Sequence, residues 1–552
     1  IVDYFSDNVR LNFGGGFHGP DRGDTYFKLQ VPLLWVCHSF RAVVYSRLCK
    51  RYELVFIKDR NSGKALGYRA PAAKCLKRLS GPFNLGAKAV VVTMSEWTIY
   101  SGEALAALSQ VLPDGCSFPS ASSLEISFDE DREGEEGFTE TADVEANISA
   151  FVRWILQTAP RLKWIKVSGY PSWKVMDEPT PSHFDSLISQ LVRLANRVSL
   201  QYEATRPPEL LNVDSIRMMT YLDVDLHFIN ESIIRLIRLN APTLQHLSVS
   251  SWAEADISDI LQGHDGSYVE YPRLHTLRTG LRKQAEESRQ YSLVGAALFP
   301  NLRCLVCLCN NPFDDDFAMF RGNADTLEYL QLDLDHRLAA ALIREQVFTP
   351  TSHPKLQCVV LTSPSGSSFS SSAIEPGFLQ LMFDIAPGAA VRSISRLSFD
   401  EPIPRLLSLL GKHAFLQVLS LPDQRLVVWD ALTLIKSLPL LSDLRGKAPK
   451  LHPMPESLAF DDLVGYVRTT YSPMATRFRC WHVGYDEGDY VTNSVVPVLL
   501  LALACPNFDY VAVPIDGRAK FAEQLQIIIR KPMFKVFAPR LRRLLLCEPK
   551  RK

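Results

Sequence analysis

Pro539-Arg540-Leu541-Arg542-Arg543-Leu544-Leu545-Leu546 is the clearest copy of a phrase, P-x-L-x-x-L-x-L, that recurs along most of the chain. The phrase returns at Pro160 (Leu162, Ile165, Val167), Pro242 (Leu244, Leu247, Val249), Pro272 (Leu274, Leu277) and Pro300 (Leu302, Leu305, Cys307). Further copies begin at Pro354 (Leu356, Val359, Leu361), Pro439 (Leu441, Leu444) and Pro506 (Phe508, Val511, Val513). Copies without the proline run through Leu327-Leu330-Leu332, Ile394-Leu397-Phe399 and Leu416-Leu419-Leu421. The opening leucines at 244, 274, 302, 327 and 356 lie 30, 28, 25 and 29 residues apart.

The alternation closing each phrase is that of a strand with one buried face. Helix-spaced apolar residues precede it, as in Ile148, Phe151, Val152 and Ile155 before Pro160. Asn230 stands where it would cap a helix of Ile233, Ile234, Leu236, Ile237 and Leu239 before Pro242. The same order predicts helices over Trp429–Leu438 before Pro439 and Val495–Ala504 before Pro506. A unit of one strand and one helix cannot bury its apolar face alone, so neighbouring units must stack. Phrase and period are those of leucine-rich repeats. The expected fold is an α/β solenoid, a horseshoe with parallel strands on the concave face and helices outside. The array is expected over 88–549, with insertions near 129–145, 362–378 and 446–492. Residues 1–60 read as a separate small helical segment and 61–87 as a linker or N-terminal cap.

Composition narrows the function classes. The 552 residues are 47% hydrophobic and carry 60 Lys plus Arg against 60 Asp plus Glu. Such a chain has ample material for a core and lacks the basic excess of a dedicated nucleic-acid binder. The longest apolar run, Val495–Cys505, is interrupted by Pro497 and falls well short of the ~20 residues a membrane span needs. Eleven cysteines, scattered singly through apolar phrases, match a reducing compartment. The expected setting is therefore the cytoplasm or nucleus, with neither nucleic acid nor membrane as partner.

Motifs that carry chemistry are weak here. Gly14-Gly15-Gly16-Phe17-His18-Gly19 spells G-x-G-x-x-G, but Pro20 and Asp21-Arg22-Gly23-Asp24 follow where a helix should open. Asp129-Glu130-Asp131-Arg132-Glu133-Gly134 to Glu140 approximates a calcium loop. Glu133 stands where Asp or Asn is usual, Glu136 takes an apolar position, and a strand rather than a helix precedes. A solvated acidic loop fits better. Cys304, Cys307 and Cys309 do not converge: Cys307 takes an inward repeat position, and alternation sends the others away. Cys480-Trp481-His482 lacks a second ligand pair. No G-x-S-x-G, H-E-x-x-H or Walker phrase occurs, so no catalytic residue, metal or cofactor is assigned.

What remains is a surface. The residues between the leucines should line the concave face: Trp164, Lys166 and Ser168; His246, Ser248 and Ser250; Thr276 and Arg278. Tyr329, Gln331 and Asp333, then Arg396, Ser398 and Asp400, continue it. Aromatics with both charge signs suit protein recognition better than phosphate binding.

Ahead of the repeats, Leu33, Cys37, Phe40 and Val44 share one helix face, with Pro32 suited to its first turn. Leu33-Leu34-Trp35-Val36-Cys37-His38-Ser39-Phe40-Arg41 resembles the second half of an F-box, L-x-x-V-C-x-x-W/F-R. With the repeats, the chain resembles the F-box/leucine-rich-repeat proteins in the divergent form common in fungal genomes. The F-box likeness covers some thirty residues, lacks the usual opening Leu-Pro, and contains a longer loop (6–25) than the family has. The resemblance implies that Leu33, Val36, Cys37, Phe40 and Arg41 contact or support the adaptor subunit of a ubiquitin ligase of SCF type. A protein substrate would then lie on the concave face, the chain acting as a monomer within a hetero-complex. Read from the residues alone, the same helix could instead cap the solenoid.

Overall fold

The computed structural model describes residues 51–55, 88–111, 117–128, 143–169, 182–202, 207–226, 228–251, 257–263, 267–280 and 298–307. Beyond these it describes 318–333, 341–362, 390–395, 403–421, 426–446, 465–470, 477–483, 495–512 and 545–547, with short breaks in some. Among the described residues there are seventeen strands. The first nine are β1 (Arg51–Val55), β2 (Ala89–Met94), β3 (Ser123–Phe128), β4 (Trp164–Gly169), β5 (Arg197–Tyr202), β6 (Tyr221–Leu226), β7 (His246–Ser251), β8 (Thr276–Thr279) and β9 (Cys304–Cys307). The others are β10 (Tyr329–Asp333), β11 (Cys358–Thr362), β12 (Ala390–Ser395), β13 (Val418–Leu421), β14 (Asp443–Gly446), β15 (Cys480–Val483), β16 (Tyr510–Ala512) and β17 (Leu545–Cys547).

Each strand pairs in parallel with its neighbours in sequence, from β1–β2 to β16–β17. One continuous sheet of stacked strand-and-helix units results, the architecture of a leucine-rich-repeat solenoid. The helices in the crossovers include α1 (Glu96–Tyr100), α2 (Glu103–Val111), α3 (Val144–Thr158), α4 (Ser182–Val192) and α5 (Glu231–Asn240). Further along stand α6 (Ile257–Leu261), α7 (Ala318–Gly322), α8 (Ile403–Leu410), α9 (Val428–Ser437) and α10 (Val495–Ala504). No described helix is long and apolar enough to cross a membrane.

Register explains the core. Val90, Leu124, Ile165, Val198, Leu222, Leu247, Leu277, Leu305, Leu330 and Val359 are partners in one row. All are at most 3% exposed, because the pleat turns every second side chain toward the helices. From the other side α3 contributes Ile148, Phe151, Val152 and Ile155, and α5 contributes Ile233, Leu236 and Ile237. Burying each such side chain stabilises by about 1.5–3 kcal/mol, so the row and the helix stripes define the array.

The turn before each strand is locked to the preceding turn. The Thr220 carbonyl accepts from the N–H groups of Gln245 and His246, at 2.9 and 3.1 Å. The Gln245 carbonyl then accepts from His275 and Thr276, and the His275 carbonyl from Arg303 and Cys304. Two more rungs follow the same rule, at Arg303 and Glu328. Asn240, at the end of α5 and fully buried, adds a side-chain lock. Its Oδ1 accepts from the Met219 N–H at 3.0 Å, and its Nδ2 donates to the Ile216 and Leu236 carbonyls, both at 2.9 Å. A buried amide meeting three backbone groups removes the cost of leaving them unpaired. At the start of α5 the Asn230 side chain accepts from the Ile233 N–H, as expected.

Several boundaries differ from the sequence reading. The sheet begins at β1, ahead of the expected start at 88, since Arg51–Val55 pairs with Ala89–Thr93. Two full rungs, β5 and β6, lie between Pro160 and Pro242, where the phrase was not seen. The segment 446–492 contains a rung of the array, because Cys480-Trp481-His482 is β15 and Trp481 is fully buried. Ile394 does not open a phrase: it pairs with Leu361 and Leu419, and Arg392 is an extra residue between the partners of Val359 and Val360. The described strand ends at Ser395, and Arg396, Ser398 and Asp400 lie outside the described residues. The F-box-like residues, the Gly14–Gly19 run, the acidic loop 129–140 and Pro539–Leu544 also lie outside them.

Candidate partner-binding face

On the side of the sheet away from the helices, register arranges the remaining side chains in rows that cross the strands. The first row over β4 to β8 is Trp164, Arg197, Tyr221, His246 and Thr276. The second is Lys166, Ser199, Asp223, Ser248 and Arg278. The third begins Ser168, Gln201, Asp225 and Ser250.

The first row forms a connected aromatic strip. Tyr221 and His246 stack with centroids 4.3 Å apart and planes 3° from parallel. Trp164 meets Tyr221 edge-on at 6.3 Å, and the Arg197 guanidinium carbon lies 5.8 Å from the centre of the Tyr221 ring. Burial lowers the His246 pKa. The Asp223 carboxylate opposes this, and the Arg278 and Arg197 cations add to it. The ring is thus neutral near pH 7. Burial raises the Tyr221 hydroxyl pKa, with Asp223 adding and the two arginines opposing.

The second row has a polar floor. Asp223 is only 9% exposed although it faces away from the core, and Ser199 and Ser248 are buried with it. These are short side chains standing among longer ones. The Asp223 Oδ2 accepts from the Ser199 hydroxyl at 3.0 Å and from the Gln201 amide at 2.6 Å, which satisfies a carboxylate that burial would otherwise penalise. In the third row the Ser250 hydroxyl donates to the Asp225 Oδ1 at 2.5 Å. Lys166 pairs with Glu125 of β3 at 3.1 Å. Arg197 and Arg278 are exposed, and among the described residues neither forms an ion pair.

Farther along, Tyr329 lies between Cys304 and Cys358 in the first row, and its hydroxyl donates to the Gln331 Oε1 at 3.3 Å. Burial raises the Tyr329 pKa, and the two thiols add to it. Burial also pushes the Cys304 thiol up, with a hydrogen bond to Thr276 opposing. Asp333 is buried at the end of β10. Among the described residues no three His, Cys, Asp or Glu side chains are placed to hold a metal ion.

The structure places Trp164 and Lys166 on β4, His246 and Ser248 on β7 and Arg278 on β8, within one run of five adjacent strands, and sets Tyr329, Gln331 and Asp333 two strands beyond β8. The sequence reading missed Arg197, Tyr221 and Asp223, which complete the patch. Their signal was the plain alternation of Arg197-Val198-Ser199-Leu200-Gln201-Tyr202 and Tyr221-Leu222-Asp223-Val224-Asp225-Leu226.

No protein-family model matches the chain, and no curated protein sequence matches it. Among solved structures, it is similar to the Rad7 and Elc1 complex in yeast, at 11% identity and a TM-score of 0.39, over 83% of this chain and 96% of that one. It is also similar to the leucine-rich repeat-containing protein LegL7 from Legionella pneumophila, at 12% identity and a TM-score of 0.20, over 87% and 99%. Both scores are too low to bear on function. The class of the fold, an α/β leucine-rich-repeat solenoid, rests on the strand pairing itself.

Proposed function

We propose that this chain is a non-catalytic protein-binding module that holds a protein target on its strand face. The observation that carries this is the β4–β8 patch, where aromatic rings and opposite charges lie in rows across adjacent strands of one sheet. More finely, we propose that it is the substrate-recognition subunit of an SCF-type ubiquitin ligase in the cytoplasm or nucleus. Leu33, Val36, Cys37, Phe40 and Arg41 would engage the adaptor subunit. Support for that step is the F-box-like phrase of residues 33–41 alone. The test is co-purification of the full chain with the adaptor, beside a Leu33→Ala/Phe40→Ala double variant. Capture by the parent chain and loss in the variant are expected; no capture by the parent chain removes the ligase role.

A second reading has its own support. Val44, the last apolar residue of the predicted helix, precedes Arg51 by seven residues, and β1 is paired to the sheet. A helix so near the first described strand is suited to capping the array, leaving a scaffold with no ubiquitin role. In that case the double variant destabilises the first repeats instead of abolishing adaptor capture.

A further inference from the structure

The charges on the strand face specify a partner chemistry. Arg197 and Arg278 stand at opposite corners of the β5–β8 patch, exposed and outside any ion pair among the described residues. Between them lie the Tyr221–His246 stack and the satisfied carboxylate of Asp223. A guanidinium packed over a ring still presents its N–H edge, the geometry that grips a carboxylate in two places. Asp223 accepts from Ser199 and Gln201, and among the described residues it forms no ion pair with either arginine.

The spacing fixes the size of the ligand. Arg197 opens β5, and Arg278 lies on β8 one row further along. Three strand steps of about 4.8 Å and a two-residue offset of about 7 Å put their Cα atoms ~16 Å apart. An extended chain rises about 3.3 Å per residue, so this distance corresponds to about four to five residues. We infer that the β5–β8 strand face binds an extended acidic segment of a partner protein, two carboxylates four to five residues apart seated on Arg197 and Arg278, the intervening chain crossing the Tyr221–His246 stack. The inference rests on the protein-binding reading above and adds the partner's chemistry to it.

A single-stranded nucleic acid also likes arginines beside stacked rings. The third row argues against it. Asp225 lies on the same face, and Asp223 and Glu125 lie in the second row, so a backbone charged at every residue would set phosphates against carboxylates, whereas a peptide with two spaced carboxylates meets only the arginines. The chain as a whole has no basic excess either.

The test uses the full chain and fluorescence anisotropy with labelled nine-residue peptides. One has glutamates five residues apart around a Ser/Gly/Tyr spacer; the others have them two apart, or have lysines in their place. The first should bind about tenfold more tightly than either control. Arg197→Glu and Arg278→Glu should each weaken it by about tenfold, and the lysine peptide should recover binding to the double charge-reversed protein. Equal binding of all three peptides by the parent chain overturns the inference without reference to any variant's folding. Tighter binding of an oligothymidylate than of the acidic peptide overturns it in favour of nucleic acid. Crosslinking of a cellular partner to this face with no dependence on peptide charge would sink the acidic ligand while sparing the protein-binding reading. Partner crosslinks only to the helix side would remove both.

Discussion

Tyr221 and His246 stand on adjacent strands with their rings stacked, 4.3 Å apart and nearly parallel. Burial and the nearby arginines keep the imidazole neutral, with only Asp223 pulling the other way. By NMR titration His246 should therefore ionise below the ordinary value of about 6.5. Asp223→Asn should lower that pKa further, and Arg278→Gln should raise it. An upward move in the Asn variant would contradict the assignment of charges around the ring.

Gly169 ends β4 with φ at +106°, and a Cβ built there would lie 2.0 Å from the Phe128 carbonyl oxygen. Gly169→Ala must displace backbone of the adjacent strand as well as adopt a conformation that L-residues avoid. We expect a loss of more than about 2 kcal/mol, seen as low soluble yield and an early thermal transition. Ser168→Ala, one residue away on the strand face, should leave both unchanged.

Asn240→Ala orphans the Met219 N–H and the Ile216 carbonyl, both previously held by the side chain. Leaving buried backbone groups unpaired costs about 1–3 kcal/mol each. Long repeat arrays need not unfold as one unit. The appropriate measurement is therefore hydrogen exchange, with protection expected to fall first around 216–219 and 240–246. Uniform protection throughout the array would refute the role given to this amide.

His353 is 1% exposed and links two rungs: its Nε2 donates to the Phe320 carbonyl at 3.2 Å, and its Nδ1 accepts from the Ser352 hydroxyl at 2.7 Å. These are the roles of the neutral ring; a protonated one would instead donate from Nδ1 to the Ser352 oxygen. Burial lowers its pKa, while the Phe320 bond and Asp325 oppose the shift. The folded state thus binds its proton less readily than the unfolded chain does. Stability is full above about pH 6.5 and falls as pH drops from there toward the lowered folded value. Melting at pH 7.5 and 5.5 should show this loss, and His353→Gln should reduce the difference between the two. An unchanged difference would place the acid sensitivity elsewhere.

The parts of the fold that were legible in the sequence are those whose inward positions are filled by leucine or valine. Leu244, Leu247 and Val249 face the helices, so the phrase survives and the solenoid could be read from it. Rungs β5 and β6 escaped because Ala195 and Met219 occupy the opening-leucine position three residues before Val198 and Leu222, and neither has the preceding proline. Met219 is 1% exposed, so it fills the space a leucine would take. In β15 the same roles fall to Phe478 and Trp481, both fully buried, and a pattern written in leucines does not register them. The binding patch was half legible for the same reason. Trp164 and His246 came with recognised phrases, whereas Arg197 and Tyr221, which join them into a strip, belonged to unrecognised ones.

Inward partners in neighbouring strands are as few as 24 residues apart, from Val198 to Leu222, and as many as 41, from Leu124 to Ile165. Their rows nevertheless stay aligned. A chain wired this way separates two kinds of evolutionary freedom. Crossovers can lengthen, or receive a foreign module, at the small entropic cost of a longer loop, without moving any residue of the exposed strip relative to its neighbours. Loss of a single strand residue within one rung would instead reverse which side chains face outward and erase that rung's share of the surface. Such a protein can therefore diversify beyond sequence recognition between its strands while keeping the geometry of what it grips.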